Sequence, residues 1–344
     1  MRRIQAREAI VVVTAVAMLH IIPGYWYPRS ISLTHHLPAT NYYIQMLSPT
    51  PLVPIRLEDG PEIWCKLDFL NPSGSTKDRI ARFIVEKAWR ERRIARGTTV
   101  VEASSGSTSI ALALVCAQMG LRFVAVMPEG VSNERVKIIR AYGGEVRMTP
   151  RSAGIRGAIA ETERMAETET VFLPRQFSNE DNAAAHRFGT AREILNDLPG
   201  GAVDAVVSGV GTGGTLVGLY RGFCDAGCRV TPVHARPIEW SATEDAECCS
   251  FSTRIPGVLD SISEIFSESA LPGMATVEVR GDEAMDTTRK LMCNGFPVGP
   301  SSGLNYRAAQ LVAEREELHE GVIVTIFPDR MERYFSTELF GALA

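Results

Sequence analysis

The chain has 344 residues, of which 45% are hydrophobic and 22% are charged, and its formal net charge is −4. These values are typical of a globular protein and exclude a disordered, collagen-like or coiled-coil chain. The length suits roughly two domains. The slightly acidic balance gives no overall basic surface for nucleic acid, so we expect no nucleic-acid partner.

Lysine is scarce among the basic residues: of 36 lysines and arginines, only five are lysine, at Lys66, Lys77, Lys87, Lys137 and Lys290. Arginine stays protonated at any working pH, whereas lysine can lose its proton and attack a carbonyl group. An enzyme that uses amine chemistry would therefore have few candidates here.

The seven cysteines are odd in number and scattered, which predicts free thiols in a reducing compartment rather than a disulfide framework. Two close pairs, Cys224/Cys228 and Cys248/Cys249, lack the second CxxC or the spaced histidines of a zinc site. We therefore expect no bound metal.

The first 40 residues look like an extension that precedes the main fold. They begin with a basic segment, and residues 9–22 form an apolar run of 14 residues. A membrane span needs about 20 such residues, so we expect no membrane anchor. The run resembles a signal-peptide core but lacks a cleavage pattern after it, which favours an added strand or docking arm. We expect a cytoplasmic protein, with a targeting signal left open.

Short apolar runs alternate with longer segments of helical periodicity from residue 41 onward. Strands are predicted at 63–67, 100–103, 123–127, 146–148, 203–208, 229–233, 276–279 and 322–327. Helices are predicted at 78–95, 107–119, 132–142, 155–166, 183–198, 215–225, 283–294 and 303–319. This alternation predicts βαβ units, and hence an α/β fold with a mostly parallel sheet covered on both faces. Residues 237–263 are the least regular and are interpreted as a long loop near the site.

The lysine loop, residues 71–79 (NPSGSTKDR), is polar and places Lys77 in the first turn of a predicted helix. The positive end of the helix dipole disfavours an ammonium group, so it lowers the lysine pKa and exposes a nucleophilic amine. Three other lysines fall among polar helical neighbours, and Lys66 lies in a predicted strand with its ammonium expected at the edge. We therefore expect Lys77 to be catalytic.

The serine loop, residues 104–108 (SSGST), joins a predicted strand to a predicted helix. Its hydroxyl and amide donors cluster at a helix N-terminus, an arrangement suited to a carboxylate. Residues 299–303 (GPSSG) open another helix in the same way. Either segment could alternatively be a capped helix start.

The glycine loop, residues 208–215 (SGVGTGGT), follows a predicted strand and opens a helix. Glycines let backbone N–H groups approach an anion, and the helix adds its positive end, so the loop predicts a phosphate site. Gly209, Gly211 and Gly214 also satisfy the dinucleotide-binding pattern GxGxxG. The next strand lacks the acidic residue of that pattern, although Arg236 could meet a 2′-phosphate. An NAD(P)-binding oxidoreductase therefore stays open as an alternative.

Together and in this order, these four segments resemble the cysteine synthase / cystathionine β-synthase family of pyridoxal 5'-phosphate (PLP) enzymes, of fold type II and similar to the tryptophan synthase β-subunit. The resemblance runs from about residue 48 to residue 335. It implies two three-layer α/β domains with mostly parallel twisted sheets and PLP in the cleft between them. The large cofactor-binding domain would comprise residues 41–75 and 181–344, and the smaller mobile substrate-side domain residues 76–180.

The resemblance also implies a role for each matching residue. Lys77 would form the internal Schiff base, Ser301 would contact the pyridine nitrogen, and Ser107 would stand near the cofactor hydroxyl. The cofactor phosphate would be held by Gly211, Thr212, Gly213, Gly214 and Thr215. The substrate carboxylate would be held by Ser104, Ser105, Gly106, Thr108 and Gln176.

One departure from the family pattern falls at Ser107, where the family carries asparagine. Serine is shorter, so its contact with the cofactor and the reaction preference of the site are open. SSGST and VGPSSGLN (residues 298–305) are similar to desulfhydrase-like members, whereas the lysine loop and FPDRMERY (327–334) look closer to synthases.

The resemblance implies β-replacement on an O-activated L-serine through an aminoacrylate intermediate. A thiol or other small nucleophile would add to give cysteine or a cysteine-like amino acid. Serine at the pyridine nitrogen makes the ring a weaker electron sink, which favours expulsion of a β-substituent. A β-eliminating cysteine desulfhydrase would use the same residues, and a catalytically inactive regulatory homologue is a further alternative. A homodimer is implied by the resemblance alone.

Overall fold

Strands and helices alternate along the chain in the computed structural model, which describes residues 48–238, 255, 262–315, 318 and 321–341. The strands within these residues are β1 (Leu52–Ile55), β2 (Ile63–Lys66), β3 (Thr99–Ala103), β4 (Arg122–Pro128), β5 (Glu145–Thr149), β6 (Val171–Phe172), β7 (Ala205–Ser208), β8 (Thr231–Ile238), β9 (Ala275–Arg280) and β10 (Ile323–Ile326).

The α-helices in the same part of the chain are α1 (Lys77–Arg90), α2 (Ser107–Met119), α3 (Asn133–Ala141), α4 (Gly154–Thr168), α5 (Asp181–Ala185), α6 (Ala191–Asp197), α7 (Gly214–Asp225), α8 (Gly281–Cys293), α9 (Pro300–Ala313) and α10 (Glu338–Gly341). A π-helical turn, His186–Thr190, joins α5 to α6. No helix among the described residues is both long and apolar enough to cross a membrane.

The larger sheet has six strands in the order β1-β2-β10-β7-β8-β9. Only β1 is antiparallel to its neighbour, β2, in the described sheet. The last strand, β10, lies in the middle, where Val324 pairs with Trp64 on one side and with Val206 on the other. The sheet therefore joins the beginning and the end of the described fold.

The smaller sheet has four parallel strands in the order β5-β4-β3-β6. Its central strands are buried on both faces, which explains their continuous apolar sequences. Helix α2 packs against this sheet and is buried around its circumference, so it carries no polar stripe. In contrast, α1 is amphipathic and buries Ile80, Ile84 and Val85.

All eight predicted strands are present, which confirms the predicted α/β alternation. Strands β1 and β6 were not predicted, because β1 is interrupted by Pro54 and β6 is only two residues long. The predicted helix 183–198 is wrong in its middle, where the π-helical turn interrupts it. Strand β8 continues through Pro237 and Ile238, two residues into the predicted irregular region. The rest of that region, except Ile255 and residues 262–263, and the 1–40 extension lie outside the described residues.

Candidate active site

A pocket lies where β3, β7 and β10 end and α1 begins. Its wall includes eleven residues that the sequence singled out: Lys77, Ser104, Ser105, Ser107, Thr108, Gln176, Gly211, Thr212, Gly213, Thr215 and Ser301. The carboxyl ends of parallel strands are where open α/β sheets place their ligands. The fold therefore brings all four sequence segments to one cavity.

Two predicted site residues, Gly106 and Gly214, do not line this pocket. A Cβ on Gly106 would lie 2.3 Å from Arg135 Cδ, and a Cβ on Gly214 would lie 1.9 Å from Asn182 Oδ1. Both positions therefore need glycine because neighbouring side chains occupy the space behind the loops.

Lys77 begins α1, and its side chain faces the pocket. Burial lowers the pKa of its ammonium group, and the carboxylates of Asp329 and Asp68 partly oppose that shift. The direction is the one expected from the sequence, but burial is the main cause rather than the helix dipole. Lys77 therefore offers a partly desolvated amine with a carboxylate within electrostatic reach.

The lysine loop is fixed by the C-terminal segment of the fold. Arg333 donates hydrogen bonds to the carbonyl oxygens of Gly74, at 2.9 Å, and of Ser73. Ser73 N–H donates to Asp78 Oδ2 at 2.8 Å. Burial raises the pKa of Asp78 to about 6. These contacts hold the backbone on both sides of Ser75–Lys77 in one conformation.

The glycine loop leads from β7 into α7, whose first backbone N–H groups have no acceptor within the helix. Gly213 has a φ of 77°, and a Cβ there would lie 2.5 Å from the Cβ of Phe266. Only glycine brings the backbone to this position without strain. Asn305 anchors the loop, because its Oδ1 accepts a hydrogen bond from Gly209 N–H at 2.7 Å.

Neutral side chains support the glycine loop from behind. Asn182 Nδ2 donates to Thr212 Oγ1 at 2.9 Å. His186 is buried, with Nε2 3.3 Å from Thr215 Oγ1 and Nδ1 2.9 Å from Thr190 Oγ1. Burial lowers the pKa of His186 to about 3, so the imidazole is neutral at pH 7. The hydroxyls of both threonines are thus oriented by uncharged partners.

The serine loop leads from β3 into α2. Ser104 Oγ accepts hydrogen bonds from the N–H groups of Gly106 and Ser109, at 2.8 and 3.3 Å. Thr108 Oγ1 donates to Gln176 Oε1 at 2.6 Å, and Gln176 Nε2 donates to the Ala103 carbonyl oxygen. The loop and Gln176 therefore form one hydrogen-bonded unit.

Glu102 lies behind this unit and is almost fully buried. Its two carboxyl oxygens accept hydrogen bonds from Ala103 N–H, at 2.9 Å, and from Gln176 N–H, at 3.1 Å. Burial raises the pKa of Glu102 to about 8, against the lowering effect of these bonds. Glu102 thus fixes the backbone position of Gln176 while being largely protonated at pH 7.

Ser107 donates a hydrogen bond to Asp329 Oδ2 at 3.3 Å. The same oxygen accepts a hydrogen bond from Tyr334 Oη at 2.7 Å, and burial raises the pKa of that phenol. Asp329 lines the pocket and is almost fully buried. The position where the family carries asparagine is therefore linked to a carboxylate.

Three pocket residues, Arg135, Asn305 and Asp329, were missed as site residues in the sequence. Asn305 lies in VGPSSGLN and Asp329 in FPDRMERY, two segments that are part of the family resemblance. The resemblance therefore pointed to these segments but gave neither residue a role. Arg135 lies in an ordinary helical pattern and carried no signal.

One expectation about the basic residues is wrong. Lys66 does not extend to the strand edge: it is fully buried, with Nζ 2.5 Å from the Thr50 carbonyl oxygen and 3.0 Å from Glu193 Oε2. The ion pair with Glu193 compensates the Lys66 ammonium for the hydration that it would have at the edge of the sheet. Arg236, for which the sequence left a 2′-phosphate contact open, forms an exposed ion pair with Glu278.

The described residues contain no cluster of three or more histidine, cysteine, aspartate or glutamate side chains suited to a metal ion. The five described cysteines have free thiols.

The pocket suits PLP by the chemistry of its donors. Lys77 supplies an amine of lowered pKa, and the glycine loop supplies N–H and hydroxyl donors at a helix N-terminus for a phosphate. Ser301, at the start of α9, supplies a neutral hydroxyl on the pocket wall. These groups match the aldehyde, the phosphate and the ring nitrogen of the cofactor.

Comparison with known proteins agrees with this chemistry. Residues 44–329 match the family model described as pyridoxal-phosphate dependent enzyme. Cysteine synthase B of Campylobacter jejuni is 36% identical over 298 residues, which cover 86% of this chain and 97% of that protein.

Two solved structures share the fold. O-ureido-L-serine synthase has a TM-score of 0.78 and 34% identity, and the match covers 89% of this chain and 97% of that one. A hydrogen sulfide-producing enzyme of Fusobacterium nucleatum has a TM-score of 0.74 and 33% identity, with 86% and 99% covered. The chain therefore belongs to the pyridoxal-phosphate-dependent enzyme family, in the cysteine synthase-like group of fold type II.

Proposed function

We propose that this PLP-dependent enzyme catalyses β-replacement on an O-activated L-serine, with a thiol or other small nucleophile, to make cysteine or a cysteine-like amino acid. The observation that carries the proposal is the meeting of Lys77, the serine loop and the glycine loop in one pocket. PLP, when bound, withdraws electrons from the α-carbon of an amino acid and so makes its α-proton acidic.

The pocket residues have separate roles in cofactor binding, substrate binding and proton transfer. The glycine loop and Ser301 hold the cofactor, and Lys77 Nζ is its attachment point. The serine loop and Gln176 would hold the substrate carboxylate. Lys77 Nζ, once the substrate amine has displaced it from the cofactor, would take the α-proton as a general base. Burial lowers the pKa of the Lys77 amine and so favours its neutral, proton-accepting form, and the nearby Asp329 carboxylate stabilises the ammonium that results.

The test supplies O-acetyl-L-serine and sulfide to the purified holoenzyme and measures cysteine, then supplies L-cysteine alone and measures pyruvate. Cysteine formation that greatly exceeds pyruvate release supports the proposal. Rapid pyruvate release from cysteine without cysteine synthesis overturns it.

The second candidate is β-elimination by a cysteine desulfhydrase. The similarity to a hydrogen sulfide-producing enzyme favours it, as does the similarity of the serine loop (SSGST) to that of desulfhydrase-like members of the family. The assay just described separates the two.

We also propose a cytoplasmic homodimer in which residues 76–180 form the smaller mobile domain, with residues 41–75 and 181–344 as the larger one. The support is the family resemblance. Light scattering coupled to gel filtration tests the dimer, and a monomer at micromolar concentration contradicts it.

A further inference from the structure

Arg135, in α3, is a buried cation that the mechanism above does not use. Its side chain lines the pocket, although only 5% of the residue is exposed. It makes one hydrogen bond, from Nη1 to the Ser105 carbonyl oxygen at 3.3 Å, and Nε has no partner. The guanidinium lies over the Tyr334 ring, 5.2 Å from its centroid.

Among residues 48–238, 262–315 and 321–341, Arg135 has no ion pair, and a backbone carbonyl oxygen is its hydrogen-bond acceptor. A buried guanidinium without a counter-charge is costly, since its desolvation is not offset by an ion pair. A negatively charged ligand in the pocket would supply the missing charge.

The residues expected to hold the substrate carboxylate carry no charge of their own. Ser104, Thr108 and Gln176 are also already hydrogen-bonded within the protein. Asp329 adds a negative charge beside Ser107, which would repel a carboxylate. A cation next to the serine loop would offset this repulsion and add to the attraction that the N-terminus of α2 offers an anion.

Arg135 packs directly against the serine loop. A Cβ on Gly106 would meet its Cδ at 2.3 Å, and Nη1 reaches the carbonyl oxygen of Ser105. The guanidinium has further N–H donors in a planar fork, a shape that matches the two oxygens of a carboxylate.

We propose that Arg135 is a specificity-determining residue that binds the carboxylate of the amino-acid substrate beside the serine loop. It selects substrates with a free carboxylate over their neutral amides. The proposal rests on the proposed function, because it requires an amino acid at the cofactor.

The test uses the holoenzyme and a ligand pair that has no β-leaving group, L-alanine and L-alaninamide. Binding is measured at equilibrium from the change in cofactor absorbance, without turnover. In Arg135→Gln we expect at least tenfold weaker binding of L-alanine and less than twofold change for L-alaninamide. Arg135→Lys keeps the charge but not the planar fork of donors. Its affinity for L-alanine should therefore lie between that of the wild type and that of Arg135→Gln.

Arg140→Gln is the matched control, because Arg140 is exposed on the same helix. We expect it to bind both ligands as the wild type does. Equal weakening of both ligands in Arg135→Gln, or unchanged binding of L-alanine, overturns the assignment. If Arg135→Gln does not fold, a selective three- to tenfold loss for L-alanine in Arg135→Lys supports it, and no selective loss overturns it.

Failure of the proposed function gives a different result. In that case the wild-type holoenzyme shows no absorbance change with L-alanine, whereas failure of the Arg135 assignment leaves the wild-type response intact.

Discussion

The glycine loop and the serine loop both carry small and hydroxyl residues from the end of a parallel strand into the first turn of a helix. Behind the glycine loop lie the neutral side chains of Asn182 and His186. Around the serine loop lie three ionisable groups, Glu102, Arg135 and Asp329. Two loops with the same strand-to-helix geometry thus lie in different electrostatic environments.

This difference fits two kinds of ligand. A cofactor phosphate stays in place, so backbone donors and uncharged supports suffice. A substrate carboxylate must bind and leave in each cycle, and the charged side chains of Arg135 and Asp329 beside its site allow selection among ligands. Substitutions in one of the two regions, or at the lysine between them, should separate these two roles.

Replacement of Lys77 should give the largest effect. In Lys77→Ala both loops remain intact, so cofactor binding should persist while the general base is lost, and kcat should fall by about 10²–10⁴-fold. The cofactor absorbance near the visible–ultraviolet border should shift as well. Lys77→Arg keeps a long basic side chain that cannot lose its proton, so it should be inactive as well, and substantial activity in either variant would contradict the role.

Alanine at the two strained glycines should separate the loops. Gly213→Ala should weaken PLP binding by about 5- to 30-fold, because a left-handed backbone costs an L-residue about 1–2 kcal/mol. Gly106→Ala should leave PLP affinity near that of the wild type and weaken amino-acid binding, because the new Cβ displaces Arg135. Titration with PLP and with L-alanine checks both, and an equal loss of PLP affinity would contradict the division.

Glu102 should make the enzyme less stable as the pH rises. Its folded pKa of about 8 exceeds the usual 4.5, so the folded state binds more protons between these values. The free energy of unfolding should therefore fall by up to about 1.4 kcal/mol per pH unit across that window. Urea unfolding of Glu102→Gln should show a flatter slope between pH 5 and 8, and an unchanged slope would refute the assignment.

His186 should act in the opposite direction. Its folded pKa of about 3 lies below the usual 6.5, so the unfolded state binds more protons between these values. Stability should be lost as the pH falls from 6.5, again by up to about 1.4 kcal/mol per pH unit. Unfolding of His186→Gln between pH 4 and 6.5 should lack this component, whereas a wild-type slope in the variant would argue against a neutral buried imidazole.

The smallest effect is expected at Ser107. Its hydrogen bond to Asp329 is long, at 3.3 Å, so Ser107→Ala should destabilise the fold by about 1 kcal/mol or less. Tyr334→Phe, which removes the 2.7 Å bond to the same carboxylate, is the comparison and should cost more. Urea unfolding at neutral pH checks the order, and a reversed order would mean that Ser107 is the stronger partner.

The local parts of the site could be predicted from the sequence because each is contiguous. Lys77 and the glycine loop carry their chemistry within a few residues of a strand-to-helix junction. The strand positions followed from their apolar runs, as did helix α2, whose predicted ends agree with the structure.

The environment of the site could not be predicted in the same way. Arg135 is buried because it stacks on Tyr334, and Lys66 because Glu193 pairs with it. Both partners are distant in sequence, so helical or strand periodicity contains no information about them. The π-helical turn at His186–Thr190 likewise depends on packing against α7 rather than on propensity.

Because β10 lies in the middle of the larger sheet, this sheet cannot be completed until nearly the whole chain has been synthesised. Strand β2 ends at Lys66, but its parallel partner ends at Ile326, 260 residues later. At about 5–20 residues per second, a ribosome needs roughly 13–52 s to make the intervening chain. During that interval the β1–β2 hairpin has an unpaired apolar edge, which is a site for association with other nascent chains. We therefore expect chains that stop before residue 323 to aggregate or to be held by chaperones, because the place between β2 and β7 belongs to β10.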